Sequence, residues 1–125
     1  MKIISGLVQG SVAWHQHRAN HFNASDAPAM LGISPYKTRS ELLAEHTTGI
    51  TPDVDDATQR RFNDGHRFEV LARPLAEEII GEELSPVTGA RDEYSASFDG
   101  IVFGNSVWWE HKSMNGQLRE LLSRP

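Results

Sequence analysis

The sequence contains no cysteine, which excludes disulfide bridges and thiolate metal sites. It has no apolar run approaching the roughly 18 residues that a membrane-spanning helix needs. The stretch from Met1 to Gly10 carries one lysine and a short apolar patch. It lacks the basic n-region and long apolar segment of a secretory signal. A cytoplasmic protein without membrane association is the expectation. The sequence also lacks an excess of positive charge: 12 Lys and Arg stand against 17 Asp and Glu, for a net charge of −5. That argues against a generic nucleic-acid coat, which would be basic overall. An enzyme acting on nucleic acid remains open, because acids gathered for metal binding raise the acid count while a local basic strip grips phosphate. Arg18, Lys37, Arg39, Arg60, Arg61, Arg67 and Arg73 all fall in the N-terminal part of the chain, where they offer an anion-binding surface. No repeat, low-complexity tract or linker is visible. A length of 125 residues with 38% apolar content fits one modest domain with a single core.

The pattern of elements runs from helices to strands and back. Helical spacing of Trp14, Arg18 and His21 or Phe22 predicts a short helix over 11–22. Ser25-Asp26 offers an N-cap, with Pro28 tolerated in the first turn and Gly32 as a stop. Ser34-Pro35-Tyr36 reads as a turn, Ser40–His46 as a helix ending near Gly49, and Thr51–Asp56 as a polar loop. The longest helix is expected from Asn63 or Asp64 to Ile80, stopped by Gly81 and kinked at Pro74, with Phe68, Leu71, Leu75 and Ile79 on one face. Strands are expected near 83–87 and 93–97, then a hairpin of 99–103 and 107–112, and a closing helix over 116–123. Helices before and after a small sheet make the fold class α/β or α+β.

The hairpin carries the chemistry. Gly104-Asn105 is a two-residue turn signal between apolar runs. With that turn, Phe103 pairs with Ser106, and counting outward sets Asp99 opposite Glu110. Opposed residues have Cβ atoms about 4.5–5.5 Å apart, and like charges there are destabilising. Something positive between them is expected, and a divalent cation with oxygen ligands is the simplest choice. Lys112, two residues beyond Glu110, shares its face of the strand. Two-metal hydrolases use such carboxylates to activate water and stabilise a leaving oxygen. Asp99 and Glu110 would ligate, the carbonyl of His111 would add an oxygen, and Lys112 would orient or deprotonate water. The competing reading is an exposed strand on which Glu110 simply pairs with Lys112.

Other residues carry two readings each. Glu69 is either a third carboxylate or a solvated helical charge. Ser25 and Arg18 are either an anion pocket at a helix N-terminus or an ordinary cap and a surface arginine. His15, His17 and His21 have a spacing that suits zinc, yet no acid or cysteine completes the set. Trp108 and Trp109 alternate faces and pack or stack accordingly.

In order along the chain, these pieces resemble the lambda-type phage exonuclease, or YqaJ-like viral recombinase, group of the PD-(D/E)XK nuclease superfamily. Trp14-His15-Gln16-His17-Arg18 followed by Asn23-Ala24-Ser25-Asp26 is similar to the family's Trp-x-x-x-Arg and Thr-Ala-Ser-Asp/Glu. Leu31-Gly32-Ile33-Ser34-Pro35-Tyr36 resembles its Leu-Gly-x-Ser-Pro-Tyr loop. Gly65-x-x-x-Glu69-x-x-Ala72 resembles the helix that supplies an acid. Ser97-Phe98-Asp99-Gly100 resembles Ser/Thr-Pro-Asp-Gly, and Glu110-His111-Lys112 resembles the Glu-x-Lys of the core.

The resemblance implies a restriction-endonuclease-like mixed β-sheet flanked by helices, a single nuclease-like domain over residues 1–125. It implies a Mg²⁺- or Mn²⁺-dependent deoxyribonuclease, a 5′–3′ exonuclease acting on duplex DNA ends in recombination. Asp99 and Glu110 would be metal ligands with the His111 carbonyl, Glu69 a ligand or a supporting acid, and Lys112 the water-orienting base. Arg18 and Ser25 would hold the 5′-phosphate. Partners would be double-stranded DNA and a phage single-strand annealing protein, with a trimeric homo-oligomer by analogy. Two departures stand out. Phe98 replaces the usual Pro. Family members also continue past Glu-x-Lys with a Gln- and Tyr-bearing helix and further covering elements, so a fold shortened at its C-terminus is expected. The alternative function is an inactive nuclease-fold domain that binds DNA ends or a recombination partner.

Overall fold

Helix boundaries follow from side chains that satisfy the free backbone groups at each end. A computed structural model of the chain describes residues 1–104 and 107–124. It divides into two compact units, Met1–Asp53 with Pro86–Phe98 and Val54–Ser85 with Asp99–Pro125. The elements are β1 (Lys2–Ile4), α1 (Val12–Ala19), β2 (Phe22–Asn23), a 3₁₀ turn (Ala24–Asp26), α2 (Ala27–Met30), α3 (Arg39–Thr48), α4 (Asp56–Ile80), β3 (Ser85–Arg91), β4 (Tyr94–Ile101), β5 (Trp108–Trp109) and α5 (Gly116–Leu122). The fold class expected from the sequence is the one observed: among the described residues, a five-stranded mixed sheet together with helices.

In the first unit, the Ser11 hydroxyl accepts from Trp14 N at 3.2 Å to start α1. Thr38 and Glu41 form a reciprocal capping box that starts α3, and Gly49 ends it at φ 69°. The Thr38 backbone N–H first, and then the Thr38 side chain, also hold the Glu41 carboxyl below its ordinary pKa. The strand order is β1-β3-β4-β2, with β1 antiparallel to β3 and β2 parallel to β4. A two-residue turn, Asp92-Glu93, joins β3 to β4, with Asp92 at φ 54°. The buried residues of this unit are Ala29, Leu42, Gly89, Ala90 and Ser95.

In the second unit, Asp55 caps α4 by accepting from Thr58 N at 2.7 Å. That bond comes first among the causes that lower the Asp55 pKa. Gly81 ends the helix at φ 80°, and the Glu77 carboxylate accepts from Leu84 N at 2.8 Å, closing the loop into β3. β5 pairs antiparallel with the end of β4, Gly100 opposite Trp109 and Ile101 opposite Trp108. Leu84, Ile101 and Val102 are buried here.

Several sequence expectations need correction. The helix expected over 11–22 stops at Ala19, and Phe22–Asn23 instead adds a strand, Phe22 N bonding to Glu93 O at 2.7 Å. The long helix begins at Asp56, not near Asn63, and runs through Pro74. The strands read separately at 93–97 and 99–103 are largely one strand, 94–101, continuous through Phe98. Phe98 has the backbone N–H that a proline would lack, so a ladder can pass through it. The outer hairpin strand is Trp108–Trp109 rather than 107–112. The Gly104-Asn105 turn and the Phe103–Ser106 pair involve residues 105 and 106, which lie outside the described residues. Among the described residues, no helix is long and apolar enough to cross a membrane.

Candidate active site

The two groups of residues singled out in the sequence fall in different units. Arg18 and Ser25 belong to the first; Glu69, Asp99, Glu110, His111 and Lys112 belong to the second.

In the second unit the register agrees with the count from the turn. Val102 N bonds to Val107 O at 3.2 Å, and the Ile101–Trp108 and Gly100–Trp109 pairs follow. One step further stand Asp99 and Glu110, just beyond the paired residues. There the regular ladder gives way to a side chain: Asp99 Oδ2 accepts from the backbone N–H of His111 at 2.7 Å. This bond orients the carboxylate and leaves Oδ1 for another partner. Glu110 and Lys112 are more exposed, with side chains 56% and 72% accessible, and the Lys112 ammonium donates to the Glu110 carboxylate. The pairing that the sequence offered as the alternative reading is therefore present.

Glu69 lies on α4, its side chain only 16% exposed. Arg73, one turn later, donates to Glu69 Oε1 at 2.5 Å and through Nε to the Asp99 carbonyl at 3.3 Å. His66 Nδ1 is 3.7 Å from the other carboxylate oxygen. Arg73 thus ties the acid on α4 to the backbone of the acid on β4. Its spacing of i,i+4 from Glu69 was readable in the sequence; its bond to the strand was not. An open groove of about 470 Å³ lies beside these residues, lined by Phe68, Leu71, Leu75 and Met114 with His111 and Lys112. The expected apolar face of α4 is therefore largely exposed, Leu71 63% and Leu75 64%. Among the described residues, no group of three or more His, Asp or Glu side chains stands close enough to hold a metal ion.

Gly100, beside Asp99, is a close-approach position. A Cβ there would lie 2.9 Å from Leu84 Cβ, 3.2 Å from its Cδ2 and 3.3 Å from Trp109 Cε3. Leu84 is buried, and its Cβ, unlike the end of a flexible side chain, moves only with the backbone. Gly100→Ala is expected to cost about 1–3 kcal/mol through overpacking. Thermal unfolding checks this, and a variant as stable as the parent would show that the strand pair tolerates displacement.

In the first unit, Arg18 is held on three sides. Trp14, one turn earlier on α1, lies under its guanidinium at 5.0 Å. Nη1 and Nη2 both donate to Ser25 Oγ at 3.2 Å. Nη2 also donates to Asp26 Oδ1 at 3.2 Å. The sequence reading gave Arg18 and Ser25 to the phosphate and placed Asp26 in the N-cap and the motif, without its bond to Arg18. The histidines do not assemble a zinc site. His17 Nε2 is hydrogen-bonded to Ser95 Oγ at 2.8 Å, His21 Nδ1 contacts the His17 carbonyl at 2.7 Å, and the two rings stack at 4.1 Å. Burial first, then the charges of His21 and Arg18, lower the His17 pKa and favour the neutral ring.

The family model for the YqaJ-like viral recombinase domain matches residues 13–117. The chain belongs to this family. Its fold, its motif order and this match make it a member of a group of phage recombination nucleases. The matched span includes all of the residues described above, from Trp14 to Lys112, and most of the two units. No curated protein matches the chain.

Proposed function

We propose that this YqaJ-like domain is a Mg²⁺- or Mn²⁺-dependent deoxyribonuclease that degrades duplex DNA from 5′-phosphorylated ends. The observation that carries the reading is Asp99, held by the His111 N–H one residue beyond the Gly100–Trp109 pair, where Glu110 follows Trp109. The donor chemistry suits a hard cation: Asp99, Glu110 and Glu69 offer carboxylate oxygen, and the His111 carbonyl offers another. Mg²⁺ keeps several waters and takes one or two protein carboxylates plus substrate phosphate, so a full cage of side chains is not required. When bound, the ion supplies Lewis-acid stabilisation of charge on the phosphate.

The remaining work falls to the protein's own groups. Asp99 and Glu110 would hold the cation. Arg73 holds Glu69 in place beside Asp99. Lys112 moves from Glu110 toward the reacting phosphate, where its ammonium orients water and offsets developing negative charge. In the first unit, Arg18 and Ser25 supply a guanidinium fork and a hydroxyl that suit a terminal phosphate. Cleavage in this reading exposes single strands for a phage annealing protein, and a trimeric homo-oligomer would keep the enzyme on its substrate.

The test is digestion of a 5′-phosphorylated linear duplex with and without Mg²⁺ or Mn²⁺, beside a closed circle and a Lys112→Ala variant. Metal-dependent loss of the linear substrate alone, abolished in the variant, is expected. Cutting of the circle would make the protein an endonuclease. Absence of cleavage by folded protein would leave an end-binding domain without turnover.

A further inference from the structure

Asp26 is an acid placed beside a site read as binding an anion, where its charge would repel phosphate. Its carboxylate is spent on the protein instead. Oδ1 accepts from Arg18 Nη2 at 3.2 Å, and Oδ2 accepts from Asn23 Nδ2 at 3.2 Å. His46 Nε2, on α3, lies 4.0 Å from Oδ2, and its side chain is 20% exposed against 15% for Asp26. The Asn23 amide is itself anchored, donating to the carbonyls of Arg18 at 2.9 Å and His21 at 3.0 Å. Asp26 therefore sits in a socket whose walls are the end of α1, the strand after it and α3.

The consequence falls on Arg18. Its other side-chain acceptor is Ser25 Oγ, which both terminal nitrogens share and which a phosphate would also engage. Trp14 under the guanidinium at 5.0 Å restrains its tilt, and the shared hydroxyl sets its distance, but neither fixes which way the fork turns within its plane. The carboxylate adds a second, charge-assisted anchor and fixes that turn, so the remaining N–H groups keep one direction.

We infer that Asp26 is a positioning residue of the end-binding cluster: clamped by Asn23, it sets the orientation of Arg18 and thereby the preference for a 5′-phosphate over a 5′-hydroxyl. This rests on reading Arg18 and Ser25 as the phosphate-binding pair. Electrostatics alone predicts the opposite for removal of the acid, since losing a negative charge strengthens phosphate binding. Selectivity and bulk affinity therefore separate the two effects.

The experiment measures binding of the full chain to labelled duplexes ending in 5′-phosphate or 5′-hydroxyl, in EDTA so that no cleavage intervenes. The parent protein is expected to favour the phosphate, and Arg18→Ala to lose that preference. Asp26→Asn is expected to lower the phosphate-to-hydroxyl affinity ratio about tenfold, the loss of one charge-assisted bond, without weakening binding to the hydroxyl end. Asp26→Glu, which keeps the carboxylate, is expected to retain most of the ratio. The ¹⁵N–¹H signals of the Arg18 guanidinium provide a second readout, broadened in Asp26→Asn by turning of the fork even if its melting point falls. A ratio unchanged or raised in Asp26→Asn, with Arg18→Ala still abolishing it, would overturn the role of Asp26 and leave the phosphate pair standing. A parent protein that does not distinguish the two ends, or an Arg18→Ala variant that still does, would overturn the phosphate pair itself and the inference with it.

Discussion

Asp99→Asn is expected to slow metal-dependent duplex degradation roughly 10³-fold, at the upper end of losses seen when one charge-stabilising group is removed from an active site. The substitution keeps the shape of the side chain. The amide oxygen can still accept from His111 N–H, the bond that Oδ2 makes at 2.7 Å. The other position then presents an NH₂ donor where a cation needs an anionic oxygen. Metal binding is the independent readout. A cation that binds only the folded state raises the melting temperature by mass action, so Mn²⁺ should stabilise the parent and leave Asp99→Asn unmoved. Equal stabilisation of both proteins would remove Asp99 from the metal site.

Arg73→Met is expected to lower both stability and rate. The Glu69 and Arg73 side chains are 16% and 17% exposed, so removing the arginine leaves a largely desolvated carboxylate without its partner. Fully buried pairs lose about 3–5 kcal/mol in this way, and partial exposure reduces the expectation to about 1–3 kcal/mol. For a chain of this size that is a fall of roughly 5–10 °C in melting temperature. The lost bond to the Asp99 carbonyl also frees the strand end, for which about 10–100-fold in rate is expected. The double variant Glu69→Gln/Arg73→Met should recover part of the stability, because no uncompensated charge remains, while the rate stays low. An Arg73→Met protein melting like its parent would mean that solvent already screens the pair.

The register of the hairpin leading to Asp99 and Glu110 was legible because strand pairing is a counting rule. Once a two-residue turn is located, every opposed pair follows, and Gly100–Trp109 stands where the count puts it. Helix ends with caps were legible in the same way: Gly49 and Gly81 both end helices with positive φ. The first turns of α4 were missed because Asp56-Ala57-Thr58-Gln59-Arg60-Arg61 is polar and shows no apolar period, although Asp55 caps it. The two- and three-residue strands β1 and β2 were missed because so few residues make no pattern; they form because β3 and β4 offer edges to pair with.

The sequence by itself determined the family motifs, the fold class and the hairpin register up to Gly100–Trp109, because these depend on residue identity and on distance along the chain. Only the tertiary structure decided which partners the motif residues keep. Arg73 reaches the Asp99 carbonyl across 26 residues, and His46 reaches Asp26 from another helix. It also decided that Phe68, Leu71 and Leu75, correctly read as one face of α4, line an open groove rather than a core. Periodicity states which side chains share a face; burial depends on what the rest of the chain brings against it.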